Sequence, residues 1–188
     1  MAEEIEAKVK IADPEAFGRR MAAHGPPAAG PALEVNRLFD DGAGALRRAG
    51  SALRLREERP LTAGAPVRAT LTFKGKRRKS CMKRRPEFET AVESAGQMTA
   101  ILQALGLAEV FRYEKRRTTW HVGECEVVLD DVPYLGWFVE VEGPTEQAVL
   151  GCLADLGLAD QPILKRSYIC LLAEHLAAHG RDPTRAVF

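Results

Sequence analysis

The sequence predicts an α+β fold in which about eight antiparallel strands form a closed β-barrel with helices packed outside it. Three observations lead to this prediction. Successive segments alternate apolar and charged residues, which is the spacing of strands with one buried face. Turn residues separate most of these segments, and no repeated β-α-β pattern indicates a parallel sheet. A chain of 188 residues is long enough for one domain with a substantial core.

The first half of the chain is predicted to contain strands and a single helix. Residues 3–11 alternate and form the first strand, and Asp13 with Pro14 then begins a helix that ends at Gly25. Further strands are expected in the segments EVNRLFD, SALRLREE and VRATLTFKGK, and in PEFETAVES after a very basic loop.

The second half is predicted to contain three strands between helices. A helix over 97–106 ends at Gly106 and is followed by strands over 110–121, 124–131 and 136–142. Two helices follow, from Pro144 to Leu156 and over 166–179. We therefore expect a single domain over 1–180 and a loose tail over 181–188.

Charged residues recur two positions apart in the centres of these strands. Because residues i and i+2 of a strand share one face, each group lies on one side of the sheet. A single such pair is typical of a solvated face, but the repetition of acids and bases indicates an inner face, with Ile5, Ala7 and Val9 packed outside under helices. The charged set comprises Glu4, Glu6, Lys8, Arg54, Arg56, Lys74, Glu87, Glu89, Lys115, Arg117, Asp130, Glu140 and Glu142.

Ionised groups in a confined space are costly unless they are paired or bind ions. Carboxylates suit hard cations such as Mg²⁺ or Mn²⁺. Arginine and lysine suit phosphate oxygens. The two sets together describe a site for a metal ion and a triphosphate, which neither set describes alone.

The chain resembles the CYTH superfamily, whose members include CyaB-type class IV adenylyl cyclases and thiamine triphosphatases and are also called triphosphate tunnel metalloenzymes. The resemblance rests on E-x-E-x-K at residues 4–8, followed in order by LRLRE, TFKG, RPEFE, EKRR, VVLDDVPYLGWFVEVEG and KRSYICLL. It covers about residues 3–172. It implies an eight-stranded antiparallel tunnel that binds a triphosphate with a divalent metal.

The resemblance also implies a role for each matching residue. The metal ligands would be Glu4, Glu6, Asp130, Glu140 and Glu142. The triphosphate would be bound by Lys8, Arg54, Arg56, Lys74, Arg85, Lys115 and Arg117, and of these Lys8 and Lys74 would be the catalytic residues. The remaining acids of the tunnel wall would be Glu87 and Glu89. In one departure, Leu38 stands where many relatives have a tyrosine. This region helps to activate the attacking water in some hydrolases of the family, so that mechanism is in doubt here.

The expected reaction is hydrolysis of a nucleoside, thiamine or inorganic triphosphate. A class IV adenylyl cyclase that converts ATP to cyclic AMP and pyrophosphate is the alternative. A third hypothesis is non-catalytic binding of polyphosphate or RNA through the basic loop at 74–85. The simpler interpretation of that loop is a solvated hairpin.

Composition limits the partners of the chain. A net charge of +1 gives no general attraction to nucleic acid or to an acidic membrane. The sequence contains neither a signal peptide nor a long apolar span. None of its cysteines forms a C-x-x-C pair, which argues against a zinc knuckle. We therefore expect a cytoplasmic protein whose partner is a small molecule with a triphosphate group, and a homodimer is left open.

Overall fold

The computed structural model describes residues 3–76 and 83–188. The side chain of Glu4, a predicted metal ligand, lies outside the described residues, as do residues 77–82 in the basic loop. No helix among the described residues is long and apolar enough to cross a membrane.

Helices and strands follow the predicted order closely. The described elements are β1 Glu3–Lys10, α1 Pro14–Met21, β2 Ala29–Asp40, α2 Ala45–Arg48, β3 Ala52–Pro60, β4 Arg68–Lys74, β5 Lys83–Val92, α3 Ala95–Ala104, β6 Ala108–Val122, β7 Cys125–Val132, β8 Gly136–Glu142, α4 Glu146–Asp155, α5 Tyr168–Ala178 and β9 Arg185–Ala186. All the predicted strands and helices are present. The single turn α2 and the short strand β9 have no counterpart in the prediction.

Strands β1 to β8 form one curled antiparallel sheet in the order β2-β3-β4-β5-β1-β8-β7-β6. Strands β2 and β6 also pair, through ten residue pairs with two shifts of register. Strands β1 and β5 share only four pairs, at residues 3–6 and 83–86. The α+β class and the antiparallel sheet are confirmed. The sheet is a curled half-barrel rather than the closed barrel that the sequence predicts, since β1 and β5 share so few residue pairs.

Two helices cover the outer face of β1, β7 and β8. Ile5, Ala7 and Val9 point outward and are buried, which confirms the predicted orientation of this strand. They belong to a core that also contains Phe17 and Met21 of α1, Val149 and Leu153 of α4, and Leu156 at the C-cap of α4. Full burial of each large apolar side chain contributes about 1.5–3 kcal/mol. This packing turns the opposite, charged face of β1 inward.

Helix α5 packs at one end of the sheet, against the end of β2 and the start of β8. Its buried side chains Leu172 and Leu176 cluster with Leu38 and Phe138. The helix begins where the Ser167 hydroxyl caps the backbone N–H of Cys170. Its first residue, Tyr168, is buried at the inner side of the sheet, where its hydroxyl donates a hydrogen bond to Asp130 of β7.

The predicted loose tail is packed instead. Arg185–Ala186 form β9, which pairs in parallel with Arg112 and Tyr113 of β6. The side chain of Ala186 is fully buried. Strand β6 pairs with β7 only from Arg116 onward, so its first half has an edge that the tail covers. Backbone groups at such an edge need partners, and β9 supplies them.

Candidate active site

The inner face of the curled sheet encloses a cavity of about 540 Å³. This volume lies within the usual range of small-molecule sites. The predicted residues that line it are Glu6, Lys8, Arg54, Arg56, Lys74, Arg85, Glu87, Glu89, Lys115, Arg117, Glu140 and Glu142. Asp130 is fully buried beside them and bonds three cavity residues. The structure therefore brings together the predicted residues whose side chains it describes.

Asp130 on β7 accepts hydrogen bonds from three different side chains of the site. Arg117 donates to it from Nε and Nη2 at 2.7 and 2.6 Å, and Lys115 donates from Nζ at 3.1 Å. The Tyr168 hydroxyl donates to Oδ2 at 2.9 Å. A carboxylate accepts about four hydrogen bonds. In this arrangement Asp130 holds three donor side chains in place, and binding a metal would require it to release some of them.

Lys8 is buried between a carboxylate and an aromatic ring. Its side chain is only 1% exposed, and its Nζ lies 2.9 Å from Glu140 Oε1. The same Nζ lies 3.4 Å from the centroid of the Tyr168 ring. Glu140 also accepts a hydrogen bond from Arg117 Nη2 at 2.6 Å. Both neighbours of Lys8 stabilise an ammonium ion, which offsets the cost of burying it.

Tyr168 enters this network from α5. Burial, together with the charges of Asp130 and Glu140, raises the pKa of its hydroxyl well above the usual value. The hydroxyl therefore stays protonated and acts as a hydrogen-bond donor. The sequence motif KRSYICLL contains this residue but indicates no chemistry for it, because its partners are far away along the chain.

Glu34 on β2 is a buried acid that the sequence analysis missed. It is 2% exposed, and its Oε1 lies 3.4 Å from Arg56 Nη1 and 3.5 Å from Arg117 Nε. Its Oε2 forms an ion pair with Lys115 Nζ at 3.3 Å, without hydrogen-bond geometry. Burial acts to raise the pKa of Glu34, but the nearby cations outweigh it and hold the pKa well below its usual range. The alternation in EVNRLFD was the signal that places Glu34 on the inner face.

Two walls of the cavity differ in how their charges are held. We call the first the paired wall; it consists of Lys8, Glu34, Lys115, Arg117, Asp130 and Glu140. We call the second the open wall; it lies on β3 to β5 and consists of Arg54, Thr72, Lys74, Glu87 and Glu89. The paired wall brings opposite charges together in a continuous buried network.

In the open wall, Arg54 lies farther from its carboxylates than the cations of the paired wall lie from theirs. Lys74 Nζ lies 2.6 Å from Glu87 Oε2. Arg54 donates to the Thr72 hydroxyl at 3.2 Å, but its Nη2 lies 3.9 and 3.8 Å from the carboxylates of Glu87 and Glu89. Burial and the charge of Arg56 lower the pKa of Arg54. The guanidinium of Arg54 is therefore less well compensated than that of Arg117.

Two buried donors near the open wall lack a hydrogen-bond partner among the described residues. These are Arg54 Nε and Asn36 Nδ2. Asn36 is fully buried on β2, and its Oδ1 accepts from Arg56 Nε at 3.3 Å. Leaving a buried donor without an acceptor costs about 1–3 kcal/mol. Of these two residues only Arg54 lines the cavity, so its guanidinium is the one that a bound phosphate group would contact.

Three carboxylates lie side by side on adjacent strands. Glu6 of β1 pairs with Glu142 of β8, which pairs with Glu126 of β7. All three line the cavity. Their oxygen donors suit Mg²⁺ or Mn²⁺, although the described side chains form no ready cluster of three metal-binding groups. The sequence analysis missed Glu126, which two steps of strand alternation from Asp130 would have found.

Leu38, the residue at the family's tyrosine position, lines the cavity at its apolar end. It packs in the same cluster as Tyr113 and Tyr168. Both tyrosines also line the cavity. The site therefore contains tyrosine side chains, but β6 and α5 supply them instead of β2.

Comparison of the sequence with known protein families identifies one family. The CYTH domain pattern matches residues 2–155 of this chain. A protein of Methanocaldococcus jannaschii, provisionally named an adenylate cyclase, is 26% identical over 175 residues. The match covers 88% of this chain and 96% of that protein.

Solved structures with the same fold come from several organisms. A protein of Pyrococcus horikoshii superposes with a TM-score of 0.78 at 24% identity and covers 92% of this chain and 99% of its own. A Vibrio parahaemolyticus protein, provisionally named an adenylate cyclase, has a TM-score of 0.74 at 21% identity, with 90% and 97% covered. A Hippeastrum protein, provisionally named an adenylyl cyclase and described as having a dominant triphosphatase activity, has a TM-score of 0.69 at 20% identity, with 95% and 97% covered. At these identities the structures show a shared fold.

Proposed function

The chain belongs to the CYTH domain family, and we propose that it is a metal-dependent enzyme that hydrolyses a triphosphate bound in the cavity of the curled sheet. One observation carries the proposal: buried cations from both walls line one cavity, and the Nε donor of one of them, Arg54, lacks a hydrogen-bond partner among the described residues. The pairing of β2 with β6 supports a tunnel-like enclosure of this cavity.

Phosphoryl transfer depends mainly on neutralising charge and aligning the phosphate chain. Lys8, Lys115 and Arg117 would contact phosphate oxygens from the paired wall. Phosphate oxygens would also contact Arg54 and Lys74 of the open wall, together with Arg56 and Arg85. Because the sheet fixes these cations before the substrate binds, little reorganisation is needed when charge develops in the transition state. Lys8 and Lys74 are the candidate catalytic residues, one on each wall.

A divalent cation, Mg²⁺ or Mn²⁺, would be held by Glu6, Glu126 and Glu142, with Glu4 of the same strand as a further candidate. When bound, the cation would neutralise charge on the phosphate oxygens. We assign a different role to Asp130 and Glu140, because they already bond the donors that would hold the substrate. Their carboxylates would orient Arg117 and Lys8.

Cyclisation of ATP is the second candidate function. The named activity of the Methanocaldococcus jannaschii relative supports it, whereas the triphosphatase activity described for the Hippeastrum protein supports hydrolysis. A cyclase must also bind the base and place the ribose hydroxyl near the α-phosphorus. We favour hydrolysis because the charged residues of the cavity account for triphosphate binding without such a pocket.

The test is to incubate the protein with Mg²⁺ or Mn²⁺ and ATP, tripolyphosphate or thiamine triphosphate and to identify the products. Inorganic phosphate would support hydrolysis. Cyclic AMP with pyrophosphate would identify a cyclase instead, and no turnover of any triphosphate would contradict both.

A matched pair of variants tests whether the cavity carries the activity. Glu6→Gln should lower turnover at least about 100-fold, as expected for removing a charge that acts in the transition state. Glu124→Gln, in the exposed turn after β6, should leave it unchanged. If the basic loop were the functional site instead, Glu6→Gln would have no effect, and neutralising Arg77, Arg78 and Lys79 would abolish binding of polyphosphate or RNA.

A further inference from the structure

We propose that Tyr168, supplied by α5 and not by the sheet, is a positioning residue that holds Lys8 and Asp130 in their reactive arrangement. Its ring orients the ammonium group, and its hydroxyl orients the carboxylate. The kinetic consequence rests on the proposed triphosphate reaction, whereas the contact itself is a property of the folded chain.

The ring of Tyr168 faces two lysines of the paired wall. Lys8 Nζ lies 3.4 Å from the ring centroid, and Lys115 Nζ lies 5.4 Å from it. Both distances fall within the range of about 6 Å in which a cation is attracted to a ring face. Since Lys8 is 1% exposed, water screens this attraction very little. The ring and Glu140 together restrict the directions in which this ammonium can point.

The hydroxyl of Tyr168 contacts a different residue of the same network, Asp130. It donates to Asp130 Oδ2 at 2.9 Å, and this oxygen also accepts from Lys115 and Arg117. A single side chain is therefore in contact with Lys8 through its ring and with Arg117 through Asp130. These are two of the cations that we assign to phosphate binding, so a shift of Tyr168 would move both.

The position of the ring is itself well determined. The ring of Phe138 packs edge-on against it, with 5.3 Å between centroids and 73° between planes. Behind it, Leu172 and Leu176 of α5 are buried in the same cluster. An aromatic side chain with few rotatable bonds, fixed by packing on both sides, holds its partners more precisely than a flexible side chain would.

Two substitutions separate the actions of the ring and the hydroxyl. Tyr168→Phe keeps the ring and removes the hydrogen bond to Asp130. We expect it to lower kcat about tenfold and to change KM less than about twofold, in line with the loss of one hydrogen bond to a charged group. Tyr168→Leu removes both contacts and should lower kcat at least about 100-fold. Tyr134→Phe, on the exposed turn before β8, is the matched control and should change neither constant.

A second readout does not depend on activity. A proton beside the face of an aromatic ring resonates upfield, so the Hε signals of Lys8 should be shifted upfield in protein with ¹³C-labelled lysine. Lys8→Arg identifies these signals by their disappearance. The shift should persist in Tyr168→Phe and vanish in Tyr168→Leu.

The two readouts distinguish the ways in which the proposal can fail. Unshifted Lys8 signals in the unsubstituted protein would overturn the contact. A kcat that is unchanged in Tyr168→Phe and Tyr168→Leu, with only thermal stability reduced, would show a purely structural role. Absence of any triphosphate turnover would contradict the proposed function, while the NMR shift would still test the placement of Tyr168 against Lys8.

Discussion

The paired wall and the open wall of the cavity carry similar residues but hold them in different ways. In the paired wall, Lys8, Lys115 and Asp130 are at most 2% exposed, and each lies within 3.1 Å of an opposite charge. In the open wall, Arg54 lies 3.8 Å or more from its nearest carboxylates, and Glu89 is half exposed. In the paired wall each cation lies close to a carboxylate, whereas in the open wall the guanidinium of Arg54 does not.

The two walls should therefore respond differently to substitution. A buried ion pair adds little net stability, because desolvation offsets its attraction, but removing one partner is strongly destabilising. Substitutions in the paired wall should therefore lower the free energy of unfolding. Substitutions in the open wall should mainly lower the turnover, since the charge of Arg54 is poorly compensated before the substrate binds.

Breaking the paired wall at its centre should have the largest effect. Asp130→Asn keeps the shape of the side chain but removes the negative charge that Arg117 and Lys115 share, and leaves them only Glu140 and Glu34 as carboxylate partners among the described residues. We expect the free energy of unfolding to fall by about 3–5 kcal/mol, as for other broken buried ion pairs, and triphosphate turnover to fall at least about 100-fold. Urea unfolding and product assays measure the two effects.

The neighbouring residue provides the control for this change. Asp131 points outward and pairs with the half-exposed Arg116 at 3.2 Å. Asp131→Asn should cost at most about 1 kcal/mol, the usual value of a surface pair. Equal losses of stability in the two variants would show that burial does not distinguish them.

Substitution in the open wall should separate activity from stability. Arg54→Met removes a guanidinium whose Nε is buried without a partner among the described residues. Because this also relieves repulsion from Arg56, we expect stability to be unchanged or raised by up to about 1 kcal/mol. Turnover of triphosphate should nevertheless fall about 100-fold, since a phosphate contact is lost.

Arg59→Met is the control for Arg54, because its side chain is 51% exposed and it is not among the residues that line the cavity. Arg59→Met should change neither the free energy of unfolding nor the turnover of triphosphate. Should Arg54→Met destabilise the chain as strongly as Asp130→Asn, the distinction between the two walls would be wrong.

The pH dependence of stability tests the charge balance of the paired wall. Glu34 has a lowered pKa, so its carboxylate stabilises the folded state fully above its unfolded-state pKa, whose ordinary value is 4.5. This contribution is lost as the pH falls from there toward the lowered folded-state value. Glu34→Gln should cost about 2 kcal/mol at neutral pH, and the gap to the unsubstituted chain should narrow as the pH falls.

Denaturant unfolding across this pH range measures the gap. Glu58→Gln is the matched control, because Glu58 contacts the same arginine, Arg56, from a side chain that is 35% exposed. A gap between Glu34→Gln and the unsubstituted chain that stays constant with pH would contradict the assigned role of the Glu34 charge.

The smallest effect is expected from deleting the C-terminal residues that pack against β6. Deleting residues 185–188 removes the buried methyl group of Ala186 and the contact of the Arg116 guanidinium with the Phe188 ring at 3.9 Å. These contacts contribute about 1–2 kcal/mol together. Turnover should be retained, because the tail lies against β6 outside the cavity. A large loss of activity would mean that β6 and its Lys115 depend on the tail.

Much of the fold and of the site was predictable from the sequence. The alternation in EIEAKVK predicts both the strand and the face that each residue occupies, because strand geometry repeats every two residues. The same rule placed Arg54, Lys115 and Glu140 toward the cavity, as the structure has them. Glu34 obeys the rule as well, but no charged residue lies two positions from it, so the search for such pairs passed over it. Glu126 has such a partner in Glu124 and was missed all the same.

Local periodicity and side-chain chemistry were enough to predict the strands, their inner and outer faces and the kinds of charge in the cavity. The choice of which acid neutralises which cation was not predictable in this way. That choice depends on strand register and on the curl of the sheet, which bring Glu34 of β2 to Lys115 and Arg117 of β6. The same is true of the hydrogen bond from Tyr168 to Asp130, which lies 38 residues away along the chain. No local pattern encodes such a contact, because it forms only when α5 packs against the end of the sheet.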